Sequence, residues 1–181
     1  MPSVFTHAAV PLALWCASER GRVSGRLLAA GVAAAMLPDA DVLAFALHIP
    51  YADAFGHRGA SHSLLFAGVL ALLALAAARW LHAGRLQASA FVFICALSHP
   101  LLDALTSGGL GVALWWPWSE QRLFAPWRPI RVSPFANNFF SARGLQTILS
   151  ELRWVWLPLA AAVLGWKAIQ SPRSCPDRAH H

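Results

Sequence analysis

Apolar residues fill this chain in blocks, and the polar residues crowd into the short breaks between them. Residues 4–17 predict an apolar helix too short to cross a bilayer in the ordinary way, which takes about 20 residues. Ser18 to Gly25 reads as a basic turn carrying Arg20 and Arg22. An alanine-rich helix is expected over 26–37, with Pro38 as a break and a second apolar piece over Val42 to Ile49. Residues 64–80 give the clearest span, with Arg79, His82 and Arg85 marking its far end. Residues 87–105 return, and 152–169 make the last span. A long connection over 107–145 is dense in Trp, Phe, Pro and Arg. Connections that long are functional or disordered, and the aromatic content argues against disorder.

Composition fixes the class. Of 181 residues, 57% are hydrophobic and 12% charged, and the mean hydropathy is +0.52; soluble domains carry about 25% charged residues. The expected architecture is an all-α, polytopic membrane helical bundle of about four spans, one domain over 1–169, with a long aromatic and Arg-rich interfacial loop. A polar C-terminal tail over 170–181 is expected to be disordered. The net charge of +6 does not point to nucleic acid, because the basic residues flank apolar blocks instead of forming one stripe. Membrane lipids are the expected partners. Cys16, Cys95 and Cys175 form neither a CxxC motif nor a disulfide framework. No cleavable leader is expected, since the first apolar block lacks a basic start and contains His7.

The alternation of spans makes a geometric statement. If the first helix starts on one side of the membrane, His7, Asp39, Asp41, His57, His62, His99 and Asp103 all fall on that side. Hydropathy does not force that outcome. His99 and Asp103, four apart, share a helix face, and a charged residue within a span is by default a functional one. His57 and His62 lie in Gly56-His57-Arg58-Gly59-Ala60-Ser61-His62-Ser63, a polar stretch placed directly before an apolar run. The bland alternatives are helix capping by Asp39, Ser61 or Ser63 and interfacial histidines. Asp39 and Asp41 follow a proline, so one would ligate while the other bridges or orients a histidine. With histidine and carboxylate donors and no thiolate, the expected cofactor is a divalent metal: Zn, Mn or Fe. Seven candidates suit two ions better than one. Asp41 and Glu151 are candidate acid/base groups, and Arg58, Arg122 and Arg128 candidate holders of a phosphate.

The segments LPDAD, GHRGASHS and SHPLLDALTSGGLGVALWWPWS resemble the signature set of the YdjM-type inner-membrane proteins, described as membrane-bound metal-dependent hydrolases. That family is related to the zinc-dependent phospholipase C and fungal single-strand nuclease superfamily. The resemblance covers about residues 6–118. It implies that His7, Asp39, Asp41, His57, His62, His99 and Asp103 are metal ligands, and that the reaction is phosphoester hydrolysis by a metal-activated water. The expected substrate is an amphiphilic, lipid-like phosphoester, admitted under a lid formed by the 107–145 connection. A metal or proton transporter would need polar residues continuing to the far side, and 64–78 and 155–165 offer none. A non-catalytic membrane scaffold or stress-response protein is the other alternative. Eight Lys and Arg residues lie on the far side, mostly close to the spans, against six on the site's side. By the positive-inside rule the site then faces outward from the inner membrane.

Overall fold

The structure is a computed structural model that describes residues 1–134 and 139–170. The expected tail and Phe135 lie outside the described residues. Five helical runs carry the fold: α1 (Val4–Ala17), α2 (Gly25–Ala46), α3 (Leu64–Ala76), α4 (Arg85–Ala104) and α5 (Ala142–Gln170). No strand forms among the described residues, which hold two isolated bridges. By length and composition α2, α4 and α5 are long and apolar enough to cross a membrane. The expected span at 64–80 is shorter, because helical pairing stops at Ala76 and the chain turns over Ala77 to Gly84.

The core is built from small residues. Ala67, Ala71 and Ala74 of α3, with Ala78 just beyond it, recur at helical spacing on one face and are buried. Ala67, Ala74 and Ala78 pack in one cluster with Leu27, Ala34 and Ala35 of α2 and Ala88, Phe91, Val92, Cys95 and Ala96 of α4. Where helices have lipid instead of water around them, small residues at the contact let backbones approach closely enough for dispersion to hold them. Gly31 is the tightest such point, since a Cβ there would run into the Phe91 ring and lie 3.0 Å from Cys95 Sγ. The other face of α3 shows Leu65, Val69, Leu72 and Leu73 exposed. On α5 the run Leu157–Gln170 has no buried residue at all.

Polar contacts fix the two ends. Ser24 caps α2 by accepting from Leu27 N (3.1 Å) and donates its hydroxyl to Leu81 O (2.5 Å). Arg26 Nη1 donates to Trp80 O (3.1 Å), and Lys167 Nζ to Ser18 O (2.7 Å). The basic turns and Lys167 therefore meet at one end of the bundle. Pro38 does not break α2. It sits at the start of a 3-10 turn, Leu37–Val42, inside the helical run. A proline is tolerated in a first turn, where its missing N–H is not needed. At the other end, residues 105–134 fold over the bundle: Val112 and Leu123 exchange backbone hydrogen bonds (3.0 and 2.9 Å), and Val112, Ala113 and Ile130 are buried.

Gly31→Leu should destabilise the bundle by about 1–3 kcal/mol, the usual cost of overpacking. Gly68→Ala, which meets open space, should be neutral or slightly stabilising. Thermal unfolding in detergent measures both, and equal melting points for the two variants would contradict the close α2–α4 contact.

Candidate metal centre

Five side chains from four elements converge at the end of the bundle opposite the basic turns. α1 brings His7, the 3-10 turn of α2 brings Asp39, the turn Ala60–His62 brings His62, and one face of α4 brings His99 and Asp103. All five are buried. His99 Nε2 lies 3.0 Å from His62 Nε2 and 3.4 Å from Asp39 Oδ1. His62 Nε2 lies 3.3 Å from Asp103 Oδ2. His7 Nε2 sits 3.7 Å from Asp39 Oδ2 and 3.8 Å from Asp103 Oδ1, and its ring stacks on His99 at 3.7 Å. Asp39, His62, His99 and Asp103 each present one ligand atom, all within 4.8 Å of one another.

The donor set fits a divalent cation. Both ring nitrogens of His7, both carboxylate oxygens of Asp39 and Asp103 Oδ1 are buried without a hydrogen bond, while Asp103 Oδ2 has its ion pair with Arg58. Orphaned buried carboxylates are costly, and a cation among them removes that cost. His99 Nδ1 lies 2.7 Å from Ala35 O, so it is the N–H donor and Nε2 presents a lone pair to the centre. Three carboxylates (Asp39, Asp41 and Asp103) meet the guanidinium of Arg58 and the Met1 nitrogen, 3.9 Å from Asp103 Oδ1, so the carboxylates still outnumber their cationic partners. His62 registers the imbalance. Burial disfavours its charge, but the carboxylates of Asp103 and Asp41 outweigh burial and push the imidazole up to about 9.

Asp41 stands one layer out and organises the turn. Its Oδ1 pairs with His57 Nδ1 at 2.5 Å. Its Oδ2 accepts from Arg58 N (3.0 Å) and Ser61 Oγ (2.6 Å) and lies 3.1 Å from His62 Nδ1. It thus holds the ring whose other nitrogen faces the centre, the usual arrangement behind a metal-binding histidine. His57 turns away, stacked on Tyr51 at 5.2 Å. The compact turn depends on Gly59, where any Cβ would strike Ala54 O.

Arg58 is fully buried beneath the centre. Its Nε pairs with Asp103 Oδ2 at 2.9 Å, Nη1 donates to Gly108 O (3.0 Å) and Nη2 to Thr106 Oγ1 (3.2 Å). Its backbone has φ +63°, a conformation that costs a non-glycine residue about 1–3 kcal/mol and persists only where the surroundings over-determine it. Those contacts, with the Arg58 O that accepts from Ala113 N (3.0 Å), supply that constraint. Gly109, at φ +92°, makes room, since a Cβ there would lie 2.7 Å from Arg58 Nη1.

The other sequence candidates lie elsewhere. Arg122 donates to His57 O (3.0 Å), Tyr51 O (3.0 Å) and Asp53 O (2.9 Å), clamping the segment after α4 onto the 51–57 loop. Arg128 stacks over Phe124 at 4.7 Å. Glu151 is buried and accepts from Ser3 N and Ser3 Oγ (both 2.5 Å) and from Thr6 Oγ1 (2.7 Å), which ties α5 to the start of α1 beside His7. Tyr51 lies outside every motif, and although Thr106 and Gly109 fall within SHPLLDALTSGGLGVALWWPWS, nothing in that segment showed that they support Arg58.

A helical bundle with membrane-length apolar helices around a buried His/Asp centre defines the class. The chain belongs to the YdjM inner membrane protein family, whose profile matches residues 1–173. It is 48% identical over 171 residues to the inner membrane protein YbcI of Escherichia coli strain K12, a match covering 92% of this chain and 99% of that protein. No solved structure matches the chain.

Asp41→Asn keeps the shape of the turn but weakens the hold on His57 and His62. Metal affinity of the purified protein should fall about 10–100-fold with little change in helix content. An unchanged affinity by competition with a chromophoric chelator would remove Asp41 from that supporting role.

Proposed function

We propose that this protein is a membrane-embedded, metal-dependent phosphoester hydrolase, related in chemistry to the zinc-dependent phospholipase C and single-strand nuclease superfamily. The observation that carries the reading is the convergence of buried, unpartnered atoms of His7, Asp39 and Asp103 with His62 and His99. Such a set has no purpose as hydrogen-bonding groups and a clear one as ligands. His62, His99, Asp39 and Asp103 would hold the ion, with His7 as the adjoining fifth donor and Zn as the metal that best suits nitrogen and carboxylate donors together. A bound divalent ion supplies Lewis acidity toward a phosphoryl oxygen and lowers the pKa of a water.

The protein's own groups prepare that chemistry. Asp41 fixes the His62 ring, the Ala35 carbonyl fixes His99, and Arg58 holds Asp103 in place. The 107–134 segment, clamped by Arg122, would cover the centre as a lid at the membrane surface. Its exposed Trp115, Trp118 and Trp127 suit the headgroup level. The apolar packing of α2, α3 and α4 between the centre and the basic turns supports a hydrolase over a transporter, which needs polar groups along its path.

His99→Ala and Asp103→Asn should each lose bound metal, with hydrolysis of a soluble phosphodiester falling about 100-fold or more. Elemental analysis and a chromogenic assay on detergent-purified protein report both quantities. Wild-type protein that holds no transition metal under replete conditions would sink the reading. The site is further proposed to face outward. A cysteine introduced as Gln121→Cys should then react with a membrane-impermeant maleimide in intact cells, and protection there would reverse the orientation.

A further inference from the structure

Beside the centre runs a second feature that the hydrolytic chemistry alone does not use. A cleft of about 620 Å³ lies between the end of α2 and the start of α3, within the range of about 300–1,000 Å³ typical of ligand sites. Leu37 faces Leu65, Phe66 and Val69 across it, with Phe55 and Trp116 at one side. Asp41 and Ser61 give it its polar wall, and these are the two residues that grip His62 Nδ1, at 3.1 Å and 3.0 Å.

From this we infer that the cleft seats one hydrocarbon chain of a membrane phospholipid, with the headgroup end of that chain against the Asp41–Ser61 wall beside the centre. The identity of the occupant follows from three observations. First, Leu37, Leu65 and Val69 are 46%, 37% and 44% exposed, and they continue into the exposed stripe of Leu72 and Leu73 on α3. In an inner membrane protein that stripe faces lipid, so the cleft opens sideways into the hydrocarbon. Second, its walls are apolar along their length. A peptide or sugar there would leave polar groups unsatisfied, each costing several kcal/mol in hydrocarbon (roughly 2–7), whereas an alkyl chain leaves none. Third, Phe55 packs edge-on against Trp116 at 5.8 Å, which places an aromatic pair at the side of the cleft formed by the covering connection. Aromatic side chains of this kind settle at the headgroup level. One end of the cleft is therefore at headgroup depth and its long wall is in the acyl region.

The lipid-binding step rests on the cleft alone; that the bound lipid is a substrate rests on the hydrolase reading. The test separates them. Full-length protein in nanodiscs of palmitoyl-oleoyl phosphatidylglycerol is released into the gas phase for native mass spectrometry, and metal is measured on the same samples. Wild-type protein should retain one lipid per chain. Val69→Trp and the milder Val69→Phe, which fill the cleft two turns from the metal ligands, should retain at least tenfold less with metal content unchanged. Leu72→Trp, on the same helix but outside the cleft, should retain lipid as wild type does. Equal retention by Val69→Phe and Leu72→Trp would overturn the cleft as a lipid site, as would a wild-type protein that keeps no lipid. Retained lipid without any phosphoester turnover would leave the cleft standing and overturn the hydrolase reading. Turnover of a soluble phosphodiester with no retained lipid would do the reverse.

Discussion

Placing three aspartates at the end of an apolar bundle, Asp39 and Asp103 buried and Asp41 partly so, is the constraint on which the rest of this structure depends. Moving a carboxylate from water into a poorly solvated interior costs several kcal/mol even after relaxation (roughly, per ion). Asp39, Asp41 and Asp103 would together make the fold untenable without compensation. The structure answers with a fully buried Arg58 against Asp103 Oδ2, a cradle of His57, Arg58 N, Ser61 and His62 around Asp41, and a ring of imidazoles. What it leaves unanswered, the oxygens of Asp39, Asp103 Oδ1 and the His7 ring, is what makes the cluster a cation site. A purely structural network would have been completed with hydrogen bonds.

Much of the surrounding architecture follows from holding Arg58 in place. Its left-handed backbone needs Asp41, Ala113 and Asp103 at once, so the turn at 56–62, the end of α4 and the covering connection are locked together through a single residue. Arg122 repeats the arrangement on the outer side, taking three carbonyls of the 51–57 loop. Arginine suits both places because its planar fork of donors reaches several acceptors while staying charged. The connection between α4 and α5 is thus a folded cover, and its aromatic residues add membrane-surface contact to a position already set by polar contacts.

The α5 helix is attached differently. Along Leu157–Gln170 no residue is fully buried, and Lys167 Nζ reaches Ser18 O (2.7 Å); its first half adds a polar anchor, where Glu151 gathers Ser3 and Thr6 and Trp156 Nε1 donates to Thr6 Oγ1 (3.0 Å). The same half contains a π turn, Leu152–Trp156. A carboxylate satisfied by three donors at the foot of α1 steadies the helix that delivers His7, so Glu151 supports the centre at one remove.

The helical class, the membrane-length apolar runs and the grouping of polar residues at one end were legible in the sequence, because hydropathy blocks and the helical period are local properties. The HxxxD face of α4 was legible for the same reason: four residues of helix place His99 and Asp103 together whatever surrounds them. What the sequence could not decide was the division of labour among charged residues of one type. Asp39 and Asp41 differ by two positions in one loop, and only the 3-10 turn at Pro38, with its particular rotation, sends one to the centre and the other behind His57 and His62. Arg58 reads as a substrate-binding residue within a polar loop, yet its guanidinium lies buried on Asp103, because contacts from Thr106 and Gly108, some fifty residues away, meet it there. Such choices depend on which distant groups are left in need of a charge partner, and that is settled only when the chain has packed.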